Sequence, residues 1–108
     1  MIIVCQKPLK ILKINGIALF PFILIRRPED KKNKVLINHE KIHLRQQLEM
    51  LIVFFYLFYV IEYYYWFFTL KDSYHAYKRI SFEREAYANE HDLNYLKKRK
   101  WWGFRKYL

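Results

Sequence analysis

The chain has 108 residues, enough for one domain around a single modest core. Hydrophobic residues make up 54% of it and aromatic residues 20%, a composition that excludes a disordered chain. Lys and Arg outnumber Asp and Glu by 20 to 10, and a net charge of +10 on so small a protein directs it toward anionic partners.

With only two Gly and three Pro there are few breakers, so a single, mainly helical α+β domain is expected over residues 1–108. The one cysteine, Cys5, cannot form an internal disulfide, which favours a reducing compartment. Ile2-Ile3-Val4 is too short for the apolar region of a signal peptide and follows no basic residue. No signal peptide is read, and a membrane-associated or cytoplasmic location is expected.

Residues 2–26 form the β-rich part. Residues 2–5 suit a strand. Ile11-Leu12-Lys13-Ile14 and the apolar run Ile17 to Ile25 flank Asn15-Gly16 and predict a β-hairpin over residues 9–26. Pro21 confines its second arm to an edge or a bulge. An edge strand beside a hydrolytic site can dock an extended peptide by strand addition, though such a hairpin can equally serve to cover the core.

After the charged loop of residues 26–34, a helix over residues 35–49 carries His39-Glu40-Lys41-Ile42-His43, the pattern H-E-x-x-H. Residues four apart share a helix face, so His39 and His43 can present imidazole nitrogens to one Zn²⁺. Glu40 sits beside them as a general base for a metal-bound water. That is the core of a metal-dependent hydrolase. A chance or vestigial motif is the alternative, in a non-catalytic basic protein that binds a membrane surface or nucleic acid.

Residues 50–70 are apolar and increasingly aromatic, and their length matches the roughly 20 residues that cross a bilayer. Glu62 interrupts the run, and Tyr and Trp prefer the headgroup zone. A transmembrane helix, a helix lying in the interface and a buried core helix all fit. A carboxylate at position 62 of such a layer is expected to pair with Lys or Arg.

A last helix is predicted over residues 81–99, with Ser81 as N-cap and Phe82, Ala86, Asn89, Leu93 and Leu96 as its inward stripe. Residues 100–108 form a basic aromatic tail suited to a phospholipid interface or to nucleic-acid stacking. An anionic membrane surface is the first expected partner and nucleic acid the second. The same tail could also simply pack its Trp residues back on the body.

A zinc ion held by two His needs a third protein ligand. Glu62, Glu83, Glu85, Glu90, His75 and His91 are the candidates. Glu62 lies 19 residues beyond His43, roughly 28 Å along one unbroken helix, so it could bind only if the chain folds back. The helix of residues 81–99 is the better donor.

The layout His39-Glu40-Lys41-Ile42-His43 followed by Phe82-Glu83-Arg84-Glu85-Ala86-Tyr87-Ala88-Asn89 resembles the gluzincin metallopeptidases, with H-E-x-x-H on one helix and E-x-x-A-[DN] on a later one. Integral-membrane peptidases of that group and short bacterial zincin-like proteins are the most similar. The resemblance implies a minimal zincin-like core and a zinc-dependent peptidase acting on peptide or protein substrates. Glu40 would be the catalytic base, and His39, His43 and Glu83 the metal ligands. A second register puts Glu85 on the metal. The family Asp that supports a ligand His is here Tyr87 or, in the second register, Asn89. Tyr87 or His75 could stabilise an oxyanion, and the spacing selects neither.

Overall fold

Three short strands pair into a sheet of order β1-β3-β2. A computed structural model describes residues 2–108. Strand β1 (Ile2–Val4) runs parallel to β3 (Phe22–Ile25), and β2 (Gly16–Leu19) runs antiparallel to it with Ala18 opposite Ile23. The hairpin is therefore shorter than the predicted 9–26, and its turn is at Phe20-Pro21 rather than Asn15-Gly16. Pro21 sits in that turn, so the second arm is free to be the central strand. The expected first arm is not a strand: Ile11 ends helix α1 (Gln6–Ile11), in which only Leu9 is buried, and Leu12 and Lys13 form a turn after it. Pro8 lies in its first turn, where a missing N–H costs no hydrogen bond.

A 3₁₀ turn (Pro28–Lys32) leads into α2 (Lys34–Glu49). Asn33 caps α2, its side chain accepting from the Leu36 N–H at 3.1 Å. Ile37 packs on Ile23 and Ile25 of the sheet. Apart from Ile37 and Ile42 the buried face of α2 is unusual in being polar: Asn38, His39, Glu40, His43, Gln46, Gln47 and Glu49 are all buried. Groups of this kind persist in a core only when they are hydrogen-bonded or serve a site.

Helix α2 stops at Glu49, and the chain turns back through Leu51 and Ile52, both at positive φ. The Gln47 carbonyl accepts from the Ile52 N–H at 2.7 Å, and the Gln47 side chain bonds Ala18 and Tyr56. These contacts hold a conformation that non-glycine residues adopt at a cost of about 1–3 kcal/mol each. Helix α3 (Val53–Leu70) then folds back over the site. Its most apolar window is 6% buried, so it is not a core helix. Phe55 alone is fully enclosed, in a cluster with Ile80, Phe82 and Phe104.

Helix α4 (Ser73–Arg79), capped by Asp72, packs along α3. Helix α5 (Ser81–Asn89) follows. Ser81 is the first residue of α5 rather than its N-cap, and the cap is supplied from a distance. Glu62 of α3 accepts from the Ser81 N–H at 2.9 Å and from its hydroxyl at 2.7 Å. Glu62 thus meets a helix N-terminus, the electrostatic equivalent of the expected cation.

The helix predicted over residues 81–99 is broken. Glu90 is still αR, and Asn38 sits at the break beyond it, its Nδ2 donating to the carbonyls of Glu90 and Asp92 at 2.8 and 3.0 Å and satisfying groups the helix no longer pairs. Helix α6 (Tyr95–Lys98) is a separate turn, and Leu93 is exposed. In the tail, a 3₁₀ turn (Gly103–Tyr107) plants Phe104 against Phe82, while Trp101 and Trp102 stay exposed.

Candidate metal centre

Helices α2 and α5 bring three donor atoms into a tight triangle. His39 Nε2 and His43 Nε2 stand 3.1 Å apart, and Glu83 Oε1 lies 3.2 Å from the first and 3.0 Å from the second. Donors around a tetrahedral ion with bonds of about 2.0–2.1 Å are separated by about 3.3 Å. The three side chains are almost completely buried.

The outer nitrogens of both histidines are committed elsewhere. His39 Nδ1 faces Glu90 Oε2 at 2.8 Å, a carboxylate that can only accept. His43 Nδ1 faces Gln46 Oε1 at 2.7 Å. Gln46 Nε2 donates to the Phe82 carbonyl at 3.1 Å and to Glu85 Oε1 at 2.8 Å, so the amide cannot be reversed without losing both bonds. Each ring therefore carries a proton on Nδ1 and turns Nε2 inward. Two imidazole Nε2 atoms and a carboxylate oxygen converge at about 3 Å, an arrangement that a proton on His43 or a cation among the three satisfies.

The electrostatics of the three groups favour a positive charge among them. Burial alone would lower the His43 pKa, but the Glu83 carboxylate outweighs it and raises it to about 9. Burial pushes Glu83 up, and the two histidines more than reverse this, holding it well below the usual carboxylate range. Tyr59 of α3 donates to Glu83 Oε2 at 2.6 Å, leaving Oε1 for the histidines. The donor set of two imidazoles and one carboxylate, each oriented by a second partner, fits a divalent transition metal.

Glu40 completes a His39-Glu40-His43 group whose ligand atoms lie within 4.8 Å of one another. Glu40 has no hydrogen-bond partner among the described residues and lines a cleft of about 340 Å³ with both histidines and Glu83. Burial raises its pKa above the ordinary carboxylate value. Gly16 of β2 makes room for it, since a Cβ there would lie 3.2 Å from Glu40 Oε2. β2 is the outer strand on this side of the sheet, and one point on its edge is already taken. The Ala18 carbonyl accepts from Gln47 Nε2 and the Tyr56 hydroxyl, both at 2.7 Å.

The other sequence candidates lie elsewhere. Glu85 is buried against Arg99, which also grips Glu49 through both carboxylate oxygens, and Tyr95 donates to it. Asn89 donates to the Glu85 carbonyl and faces Tyr107, away from both histidines. Tyr87 lies edge-on to the His39 ring at 4.5 Å, its hydroxyl bonded to Tyr77. His75 is exposed and paired with Asp72, and His91 is exposed beside Glu90. Glu90, a candidate ligand in the sequence, instead accepts from His39 Nδ1, taking the place expected of Tyr87 or Asn89.

Sequence reasoning missed Gln46 and Tyr59. Gln46 had a signal, being one helical turn beyond His43 and on its face. Tyr59 had none, because its approach depends on the fold-back at Leu51 and Ile52. No protein family, curated protein or solved structure matches the chain.

Proposed function

We propose that the chain is a zinc-dependent metallohydrolase of gluzincin type that cleaves peptide bonds at a membrane surface. One observation carries this reading: the inward-facing triangle of His39 Nε2, His43 Nε2 and Glu83 Oε1, with both Nδ1 protons committed outside it. Zinc suits this donor set and spacing, and held there it would polarise a substrate carbonyl and acidify a water. Glu40, free of hydrogen bonds and facing the cleft, takes the proton of the attacking water and returns it to the leaving nitrogen. Tyr59 and Glu90 keep the ligands in place.

A peptide substrate is supported by the cleft's position between β2 and α3, with Ile17 and Ala18 on one wall and Phe55 and Val60 on the other. Membrane contact is supported by α3, which is long and apolar enough to cross a bilayer and mostly exposed.

Elemental analysis of the purified protein tests the metal, and hydrolysis of a peptide library tests the chemistry. One zinc per chain in the wild type and none in His39→Ala is the expected result. Glu40→Gln should keep its zinc and lose turnover. Full hydrolysis by metal-loaded Glu40→Gln would sink the mechanism, and no bound metal after incubation with Zn²⁺ would sink the site.

A further inference from the structure

An open pocket of about 500 Å³ lies apart from the metal centre, where α3 gives way to α4. Its lining is Leu70, Asp72, His75, Lys78, Arg79 and Arg84. Lys78, Arg79 and Arg84 form no ion pair among the described residues. The pocket's one carboxylate, Asp72, is committed to His75 and to the Tyr74 N–H. Aromatic rings hold two of the cations without neutralising them: Arg79 lies 4.9 Å from the Trp66 ring centre and Lys78 lies 3.4 Å from that of Tyr87. Arg84 donates to the Tyr107 carbonyl, yet its Nε is buried with no hydrogen-bond partner. Three cations without an ion-pair partner, set against one carboxylate, leave the concavity net positive and complementary to an anion.

What lies next to the pocket identifies that anion. The exposed face of α3 carries Phe54, Leu57, Phe58, Ile61, Tyr64 and Phe68, with no charge among them, and ends at Leu70 in the pocket wall. Packing against α4 and the helices of the site covers the opposite face of α3, so one side alone is open to lipid. That suits a helix lying in an interface. We infer that the pocket binds the phosphodiester headgroup of an anionic phospholipid while the exposed face of α3 lies among the acyl chains. This rests on the membrane contact proposed above and not on the metal.

The test is flotation of the full chain with two kinds of vesicle, phosphatidylcholine alone and phosphatidylcholine mixed with phosphatidylglycerol. The mixed vesicles should bind more tightly. Lys78→Gln/Arg79→Gln should weaken that binding by about thirtyfold, from about 1 kcal/mol for each cation at an anionic surface. Lys31→Gln/Lys34→Gln, which removes the same charge from another pocket's rim, should cost less than about threefold, because distant charges are screened. Lys78→Arg/Arg79→Lys should retain binding, which guards against a misfolded double variant. Equal losses in the two Gln pairs would overturn the headgroup site in favour of diffuse attraction. So would equal wild-type binding to both vesicles, with membrane contact itself intact. Binding to neither would overturn the membrane reading as well. Saturable binding of inorganic phosphate in this pocket without vesicles, at matched ionic strength, would overturn the lipid as its source.

Discussion

Gln46 accepts the His43 Nδ1 proton at 2.7 Å from one turn further along the same helix. Its amide nitrogen is at the same time tied to the first turn of α5 through the Phe82 carbonyl and Glu85. One side chain thus fixes a histidine's tautomer and docks the helix that brings Glu83. Gln46→Met, close in shape but without the acceptor, should lower zinc affinity by about 10- to 100-fold. Competition against a chromophoric chelator would measure this. Unchanged affinity would show that Gln46 serves only the packing of the two helices.

Glu90 performs the matching task for His39 at 2.8 Å. Glu90→Ala should again weaken zinc binding by about 10- to 100-fold. Glu90→Gln should cost less, because its amide oxygen still accepts. Equal losses in the two variants would mean that the carboxylate's charge, rather than its hydrogen bond, supports the ring.

The sequence made the ligand helix legible because H-E-x-x-H is a local pattern, read from residues within one turn of each other. The carboxylate supporting His39 was not legible in the same way. Glu90 is seven residues beyond Glu83 and shares its helix face, but that face alone does not say which carboxylate meets Nε2 and which meets Nδ1; the docking of α5 on α2 decides it, held in part by Asn38 across more than fifty residues. The shifted hairpin turn has the opposite cause. Asn15-Gly16 is a strong turn signal, but Gly16 is used to admit Glu40 at close range, and the turn is made at Phe20-Pro21. The α3 segment could be read as apolar without its partners being readable. Whether an apolar helix is enclosed depends on how much of the chain is left to cover it, and most of α3 stays uncovered.

If the site holds zinc as proposed, metal loading should be a stability measurement as well as an activity one. The triangle brings two imidazoles and a carboxylate to about 3 Å. An ion that binds this arrangement and not the unfolded chain stabilises it by about 2.7 kcal/mol at a hundredfold excess over Kd. Thermal melts should therefore shift upward with added Zn²⁺ in wild type and not in Glu83→Ala. A metal-dependent shift of equal size in that variant would place the ion elsewhere.

The last prediction concerns Arg99, which lies outside the centre but is joined to it. Its guanidinium is almost wholly buried between Glu49 at the end of α2 and Glu85 in α5. Two carboxylates in a core are tolerable only while their cation is present. Arg99→Met should destabilise the fold by about 3–5 kcal/mol, read from urea denaturation, because it leaves both carboxylates buried and unpaired. Arg99→Lys should recover little, since an ammonium cannot span the two-oxygen contact with Glu49 and still reach Glu85. The triple variant Arg99→Met/Glu49→Gln/Glu85→Gln should recover more than Arg99→Lys, because it removes the uncompensated charges themselves. If Arg99→Met were as stable as wild type, the cluster would be reached by water, and the rigid link from the C-terminal tail through Glu85 and Gln46 to His43 would have to be abandoned.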